Sequence, residues 1–366
     1  ACFYGHPSRK LVVIGVTGTN GKTTTSYLIA KALEASGHPT GMTSTAVLKI
    51  GPREWINDTK MTMPGRFFLQ KMLRQMVDTG CAYAVVETSS QGLIQSRHLG
   101  INYDIVVFTN LTPEHLEAHG GFEPYKQAKS LLFTHTASLP KKRIGGVLIP
   151  RAAILNADDP HATFYAGIPG FSQVAWYGID HGQGLLAKEM VLSDRGSRFV
   201  VDGIPVILSL PGRYNVENAL AALSVAHVLG ITLTSAIALL AKVTHVPGRF
   251  ERIEMGQPWT VIIDYAYEPE SLRRLYEALR LIPRKRLIHV CGSCGGGRDQ
   301  ARQPVMGKLA GQEADIVIVT NEDPYDDPPD EIIRRIAEGA ETVGKRENET
   351  LFCIEDRQQA IDLAMK

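Results

Sequence analysis

The stretch GVTGTNGKTTT, residues 15–25, decides the fold expected for this chain. It follows LVVIGV (11–16), an apolar β-branched run typical of a buried strand, and it opens a helical pattern over 22–36 that Gly37 ends. A glycine-rich turn between a strand and a helix N-terminus presents backbone N–H groups that bind phosphate. The sequence therefore predicts a phosphate-binding loop on an α/β scaffold.

The side chains of this loop are suited to a nucleotide. Lys22 can reach the β and γ phosphates, and the Thr23 hydroxyl can bind Mg²⁺. The loop departs from a Walker motif because Val16 stands where its first glycine would be, with Gly15 and Gly18 on either side. The alternative, a turn that binds no nucleotide, is disfavoured by the strand–loop–helix context. The predicted nucleotide contacts are Gly18, Thr19, Asn20, Gly21, Lys22, Thr23 and Thr24.

The rest of the chain alternates short apolar runs with longer helical patterns. Further buried strands are predicted at AYAVVE (82–87), DIVVFTN (104–110) and AAILN (152–156). This alternation is typical of an α/β fold with a mostly parallel sheet. Residues 173–210 contain shorter alternating strands, which predict an antiparallel insertion or edge, and a helix follows over 215–229.

A second α/β unit begins near Val246, where VPGR (246–249) is a hinge candidate because Pro and Gly break the preceding helix. The runs VIIDYA, LIHVCG and DIVIVTN predict strands with a Rossmann-like rhythm, separated by helices around 270–281, 303–312 and 329–344. The predicted domains are a linker remnant at 1–10, a central P-loop-type ATPase domain at 11–245, and a C-terminal Rossmann-like α/β domain at 246–366 that is truncated at its end.

Composition narrows the class of protein. The 39 Lys and Arg residues nearly balance the 38 Asp and Glu residues without blocks of like charge, which disfavours nucleic-acid binding. Neither a membrane-spanning run nor a signal peptide is indicated. Scattered cysteines with a single C-x-x-C (Cys291, Cys294) suit neither a disulfide framework nor a zinc site, and they favour a cytoplasmic location. Because the chain starts at Ala1 and its last helical pattern has no cap, we expect further residues at both ends.

Seven further segments resemble motifs of the Mur ligase family, in the family's order. They are VVETSSQGL (85–93), FTNLTPEHLEAHG (108–120), YKQAKSLLF (125–133), GRYNVENALAA (212–222), VPGRFE (246–251), DYAYEPESL (264–272) and GGGRDQARQPVMG (295–307). The loop GTNGKTT also resembles the family's ATP loop, although alone it would not separate these ligases from folylpolyglutamate synthetases. The segments extend over almost the whole chain, so the resemblance concerns its entire architecture.

The resemblance implies an ATP-dependent carboxylate–amine ligase of peptidoglycan synthesis that works through an acyl phosphate. The branch it is most similar to adds the third stem-peptide residue to a UDP-N-acetylmuramoyl-L-Ala-D-Glu type acceptor. Two alternatives stay open. A folylpolyglutamate-synthetase-type ligase is disfavoured by the T-S-S and H-L-E-A-H-G segments. A nucleotide-binding scaffold without ligation is disfavoured because the motif residues are retained.

The resemblance also implies a metal and catalytic set. One Mg²⁺ would be held by Thr23 and Glu87 near the ATP phosphates. A second would be held close to Glu87 by His115 and a carbamylated Lys129, whose carbamate oxygens suit a hard cation. The predicted catalytic residues are Lys22, Glu87, His115 and Lys129. Ordinary roles as a helix cap, a surface histidine and a solvated lysine are the alternatives for the last three.

Other roles follow from the same resemblance. Asn218 resembles the residue that contacts the adenine, and Arg249 and Asp264 resemble groups that close over ATP. Arg298 resembles the arginine that receives the carboxylate of the incoming amino acid, a task that its bidentate geometry suits. The predicted contacts to the muramoyl-peptide acceptor and the amino acid are Thr62, Thr88, Ser89, Ser90, Arg97, Arg298, Asp323 and Tyr325.

The sequence departs from the family pattern at several positions. Tyr325 stands where members that add diaminopimelate have arginine, which leaves the added amino acid open. Tyr267 replaces the histidine of D-Y-A-H, and Met63 replaces the second threonine of T-T-P. A separate domain for uridine diphosphate is not present in these residues, so whether the acceptor carries UDP is open as well.

Overall fold

The computed structural model describes residues 1–59, 61–114, 116–296 and 300–366, without the side chain of Leu116. The chain divides into two compact units. The first contains Ala1–Thr112 and Glu123–Asp264, and the second contains Pro113–Phe122 and Tyr265–Lys366. The predicted domain boundary at 245/246 stays a prediction, because spatial proximity does not test which segments fold independently.

The described ranges contain nineteen β-strands. They are β1 (Val12–Thr17), β2 (Thr40–Thr43), β3 (Val47–Ile50), β4 (Arg53–Ile56), β5 (Tyr83–Glu87), β6 (Ile105–Phe108), β7 (Arg143–Ile144), β8 (Val147–Leu148), β9 (Ala152–Asn156), β10 (Gln173–Gly178), β11 (Leu185–Leu186), β12 (Lys188–Ser193), β13 (Gly196–Val201), β14 (Ile204–Leu208), β15 (Glu251–Ile253), β16 (Val261–Ile263), β17 (Ile288–Cys291), β18 (Ile316–Val319) and β19 (Leu351–Cys353).

The described α-helices connect these strands. They are α1 (Lys22–Leu33), α2 (Arg66–Asp78), α3 (Ser90–Ile94), α4 (Leu116–His119), α5 (Phe122–Ser138), α6 (Ala162–Ala166), α7 (Arg213–Val228), α8 (Leu233–Leu240), α9 (Pro269–Leu279), α10 (Arg302–Glu313), α11 (Pro329–Glu341) and α12 (Arg357–Ala364). Within the described ranges, every helix is too short or too polar to cross a lipid bilayer.

The first unit is built on a large sheet of order β11-β10-β9-β6-β1-β5-β2-β3-β4. Neighbours from β11 to β2 are parallel, and β3 and β4 add antiparallel edge strands. The predicted α/β fold with a mostly parallel sheet is therefore confirmed. Every residue of β1 is buried, as expected for a strand covered on both faces. Because β1 lies between β5 and β6, the loops after these three strands meet at one edge of the sheet.

The region predicted as an antiparallel insertion, 173–210, divides into two parts. β12, β13 and β14 form the expected antiparallel sheet, but β10 instead joins the large sheet in parallel to β9. A parallel neighbour needs a long crossover, and the connection through α6 provides it. Strand periodicity alone does not encode this direction.

The run VIIDYA also pairs differently from the prediction. Its strand β16 forms an antiparallel hairpin with β15 in the first unit rather than a parallel Rossmann-type strand. The connection over 254–260 is too short for a parallel crossover, and its Gly256, with a φ of 83°, and Pro258 are turn residues.

The second unit contains the parallel sheet β17-β18-β19, with α10 and α11 packed against each other beside it. A Cβ added at Gly307 would lie 1.8 Å from the carbonyl oxygen of Ile336, and one added at Gly339 would lie 2.0 Å from that of Pro304. The two helices therefore approach each other through their glycines.

The buried His98 links the stability of the first unit to pH. Its side chain is 6% exposed, its Nδ1 has no hydrogen-bond partner among the described residues, and its ring lies edge-on to His135 at 4.9 Å. Burial, with the neighbouring His135, lowers the pKa of His98 from 6.5 to about 4. Between these values the unfolded chain takes up a proton that the folded chain refuses, so folding stability falls as pH drops from about 6.5 to 4.

We expect His98→Gln to flatten this loss of stability. The removed contribution is at most about 3 kcal/mol across the interval, from 1.36 kcal/mol per pKa unit. Urea unfolding at several pH values between 7 and 4 measures it, with exposed His38→Gln as the matched control. A His98→Gln profile parallel to that of the wild type would show that His98 stays protonatable in the folded state.

Candidate active site

The phosphate loop between β1 and α1 is fastened to the loop that follows β6. The backbone N–H of Thr19 donates to the carbonyl of Asn110 at 2.8 Å, and that of Asn20 donates to Asn110 Oδ1 at 2.9 Å. In return, Thr109 Oγ1 and Asn110 Nδ2 donate to the carbonyl of Asn20 at 2.7 and 3.1 Å. The first half of the loop is therefore fixed in place by the F-T-N segment.

Glycine is required at two loop positions by close approach. A Cβ on Gly18, where φ is 150°, would lie 1.9 Å from Thr109 Oγ1. A Cβ on Gly21, where φ is 80°, would lie 2.5 Å from Asn218 Oδ1. Both residues also adopt backbone angles that favour glycine.

Two lysine ammonium groups hold carbonyls of the same loop. Lys22 Nζ donates to the carbonyl of Thr19 at 2.6 Å, and Lys129 Nζ donates to that of Gly18 at 2.8 Å. Lys129 is 1% exposed, and its nitrogen lies 4.2 Å from the ring centre of Tyr125. Two cations therefore lie at a loop whose geometry suits an anion.

Glu87, at the carboxyl end of β5, is the buried carboxylate of this edge. It is 1% exposed and accepts from Thr23 Oγ1 at 3.0 and 3.1 Å, from Thr45 N at 2.7 Å and from Thr45 Oγ1 at 3.0 Å. These donors are all neutral, so the carboxylate charge is solvated but not balanced by them. Arg249 Nη2 donates to Thr23 Oγ1 at 3.1 Å, so this arginine is linked to Glu87 through the Thr23 hydroxyl.

This arrangement fits a Mg²⁺ ion that takes few protein ligands. The described residues contain no group of three or more His, Cys, Asp or Glu side chains that could hold a metal by themselves. Mg²⁺ is commonly bound through one or two carboxylates, with phosphates and water supplying its other ligands. Glu87 and Thr23 present such a partial set beside the phosphate loop.

Asn218 and Asp264 both make hydrogen bonds within the protein. Asn218 Oδ1 accepts from Thr25 Oγ1 at 2.9 Å, and its Nδ2 donates to Asn215 Oδ1 at 3.2 Å, which ties α7 to α1. Asp264 Oδ2 accepts from the N–H of Phe250 at 2.7 Å. Their predicted contacts with ATP, like that of Arg249, stay predictions.

The predicted acceptor residues of the first unit cluster around two turns. Thr62 Oγ1 lies 2.9 Å from Thr45 Oγ1, and Arg97 Nη1 donates to the carbonyl of Met63. After β5, Thr88 Oγ1 donates to the carbonyl of Val86 at 3.0 Å. The N-cap of α3 is formed by Ser89 Oγ, which accepts from Gly92 N at 3.1 Å, and Ser90 is buried at its first turn.

In the second unit, Asp323 and Tyr325 lie in the loop after β18. The carbonyl of Asp323 accepts from Gly295 N at 3.0 Å, and the Tyr325 ring packs within 3.1 Å of where a Cβ on Gly296 would be. Tyr325 is 53% exposed and has a φ of 53°, which is unusual for a tyrosine. Two further predicted residues, His115 and Arg298, lie outside the described residues.

Thr45 is the residue of this edge that the sequence analysis missed. It lies in the loop after β2, which pairs in parallel with β5 so that Thr43 is the register partner of Val86. Its loop therefore comes next to Glu87. The polar pair Ser44 and Thr45 directly after a short strand was the available signal.

Comparison with known proteins identifies relatives over the whole chain. Residues 16–226 match the model described as Mur ligase middle domain, and residues 248–366 match Mur ligase, glutamate ligase domain. A UDP-N-acetylmuramyl-tripeptide synthetase of Roseiflexus sp. (strain RS-1) is 42% identical over 376 residues, covering 100% of this chain and 72% of the relative. A UDP-N-acetylmuramoyl-L-alanyl-D-glutamate--2,6-diaminopimelate ligase of Geobacillus kaustophilus (strain HTA426) is 36% identical, covering 99% and 72%.

Solved structures agree with these relatives. A structure of UDP-N-acetylmuramoyl-L-alanyl-D-glutamate--2,6-diaminopimelate ligase matches with a TM-score of 0.64 at 30% identity, covering 97% of this chain and 70% of that one. Mycobacterium tuberculosis folylpolyglutamate synthase, complexed with ADP and AMPPCP, matches with a TM-score of 0.75 at 19% identity, covering 99% and 86%. The second likeness shows the fold alone.

The close packing of Gly18 predicts the effect of one methyl group. Gly18→Ala forces Thr109 or the loop to move, and overpacking of this kind costs about 1–3 kcal/mol. We expect a lower melting temperature and about tenfold weaker binding of Mg·ATP, which corresponds to about 1.4 kcal/mol, measured by thermal unfolding and calorimetry. Gly182→Ala, where no atom lies within 4 Å of the added Cβ, is the control. Unchanged affinity in Gly18→Ala would contradict the loop's role.

Proposed function

We propose, from the premise that this chain belongs to the Mur ligase family of ATP-dependent peptide ligases in peptidoglycan synthesis, that it adds the third residue of the stem peptide. The acceptor in this proposal is of the UDP-N-acetylmuramoyl-L-Ala-D-Glu type. Two relatives, named as a tripeptide synthetase and as a ligase of UDP-N-acetylmuramoyl-L-alanyl-D-glutamate with diaminopimelate, support this step. The cytoplasmic location expected from cysteine usage stays a prediction.

The observation that carries the proposal is the buried Glu87 carboxylate bonded to Thr23 of the phosphate loop. In the proposed reaction, a carboxylate oxygen of the acceptor attacks the γ-phosphorus of ATP, ADP leaves, and an acyl phosphate forms. The amine nitrogen of the amino acid then attacks the acyl carbon, phosphate leaves, and the nitrogen loses a proton. Both partners of the first step are anionic, so charge neutralisation is the main requirement.

The residues of the first unit can meet this requirement. Lys22 supplies a cation at the phosphate loop, and it can exchange its bond to the Thr19 carbonyl for a phosphate oxygen. Mg²⁺ held by Thr23 and Glu87 would supply further positive charge at the phosphates. Glu87 and the loop are fixed before ATP arrives, so little reorganisation accompanies the reaction.

Lys129 fits a second role in this proposal. Its nitrogen lies at the Gly18 carbonyl, and its burial makes an ammonium costly there. Once the ammonium has lost a proton, its nitrogen could attack the carbon of carbon dioxide and release a second proton. The resulting carbamate would be an anionic oxygen ligand for a second Mg²⁺, with His115 as a further proposed ligand.

The added amino acid is left to experiment, because Tyr325 stands where diaminopimelate-adding members have arginine. The protein would be incubated with ATP, Mg²⁺ and UDP-N-acetylmuramoyl-L-Ala-D-Glu, with one amino acid per reaction from a panel that includes lysine and diaminopimelate. We expect a product of acceptor plus one amino acid less water, with stoichiometric ADP, detected by mass spectrometry. Lys22→Ala should lower turnover at least about 100-fold, since a preorganised charge is lost.

Controls separate the alternatives. Lys188→Ala removes an exposed lysine of β12 and should keep wild-type turnover. An acceptor without UDP tests whether the nucleotide is needed, and a folate acceptor tests the folylpolyglutamate reaction. ATP binding without product from any acceptor would contradict the ligase and favour a scaffold.

Carbamylation predicts a signal of its own. With ¹³C-bicarbonate, the wild type should show a carbamate resonance that is absent in Lys129→Ala, and Lys129→Ala should lose turnover because an anionic metal ligand is missing. Lys126→Ala, on the same helix and ion-paired with Glu123, is the matched control and should keep the resonance. A wild type without the resonance, or an active Lys129→Ala, would contradict the modification.

A further inference from the structure

Three hydroxyl-bearing and acidic side chains form a relay from the acceptor turn to the phosphate edge. Thr45 Oγ1 lies 2.9 Å from Thr62 Oγ1 and 3.0 Å from Glu87 Oε1, and Thr45 N donates to Glu87 Oε2 at 2.7 Å. We propose that Thr45 is a positioning residue that orients Glu87 and, through the same hydroxyl, Thr62. The inference rests on the proposed function and deepens it by naming the kind of group that Thr62 receives from the acceptor.

The hydroxyl of Thr45 joins the two side chains. Thr45 Oγ1 donates both to Thr62 Oγ1 at 2.9 Å and to Glu87 Oε1 at 3.0 Å, so its single proton is shared between two acceptors. The backbone N–H of Thr45 donates in addition to Glu87 Oε2. Removing the Thr45 hydroxyl therefore weakens the hydrogen bonding of Glu87 and of Thr62 together.

The turn that carries Thr62 is fastened on both sides. Asn57 Nδ2 donates to the carbonyls of Ser44 at 2.8 Å and Met61 at 3.0 Å, which joins the turn to the Thr45 loop. On the other side, Arg97 Nη1 donates to the carbonyl of Met63. Thr62 is therefore held in register with Thr45 by contacts other than its own hydroxyl.

Thr62 is suited to contact the acceptor. Its oxygen accepts from Thr45, so the proton of its partly exposed hydroxyl can be donated to a ligand. Thr62 therefore suits a carbonyl or carboxylate oxygen of the muramoyl-peptide acceptor. Met63, in place of a second threonine, leaves Thr62 as the hydroxyl of the turn MTMP (61–64).

The first arm of the test needs no acceptor. Calorimetry measures the affinity for Mg²⁺ with the β,γ-imido analogue of ATP in the wild type, Thr45→Val and Thr45→Ser. Thr45→Val keeps the shape and the backbone N–H but removes the hydroxyl, and we expect about three- to tenfold weaker binding, the usual effect of one hydrogen bond. Thr45→Ser should bind as the wild type does. Thr163→Val, an exposed threonine on α6, is the matched control.

The second arm tests the link to Thr62. Thr45→Val and Thr62→Val should each raise the KM for the acceptor about three- to tenfold. The double variant should be no worse than Thr62→Val alone, because both changes break one relay. Thr45→Ser should restore the wild-type value.

Each outcome decides the proposal. Additive effects in the double variant would show that Thr62 does not act through Thr45. If Thr45→Val lowers the melting temperature but leaves the Mg²⁺–nucleotide affinity and the KM for the acceptor unchanged, the role of Thr45 is structural only. If the wild type ligates no amino acid, the proposed function fails, and the first arm by itself still decides whether Thr45 orients Glu87.

Discussion

The site is organised around a negative charge buried at the end of a central strand. Removing a carboxylate from water is unfavourable unless hydrogen bonds and a cation replace its hydration. The neutral donors Thr23 and Thr45 supply the hydrogen bonds to Glu87, and they leave its charge in place. The surrounding loops therefore hold the Glu87 carboxylate in one orientation with neutral hydrogen-bond donors.

The sheet topology makes this arrangement possible. β1 has β5 and β6 as its two neighbours, and β2 lies beyond β5, so the carboxyl ends of four parallel strands meet at one edge. The register aligns Val16 with Glu87 and Thr17 with Phe108, so the phosphate loop, Glu87 and the F-T-N turn begin at the same level. The strand order and register therefore bring together residues that are far apart in sequence.

What the sequence predicted well was local. The phosphate loop and its helix depend on a glycine-rich turn between a strand and a helix start, which a short window contains. Pairing is not local: the parallel direction of β10 and the hairpin of β16 depend on connection length and on partners elsewhere. Thr45 was missed for the same reason, because nothing around it in sequence shows that β2 lies beside β5.

The hydrogen bonds of the phosphate loop give its two halves different roles. The backbone N–H groups of Thr19 and Asn20 are already used by Asn110, so they are not open to a phosphate while that turn is in place. The first N–H groups of a helix have no partner within it, so those at the start of α1 face the anion site instead. The first half of the motif therefore anchors the loop, and the second half, which begins at Gly21, presents the donors. Because the first half is anchored, the second half is already ordered, and it can bind a triphosphate without the entropic cost of ordering the loop.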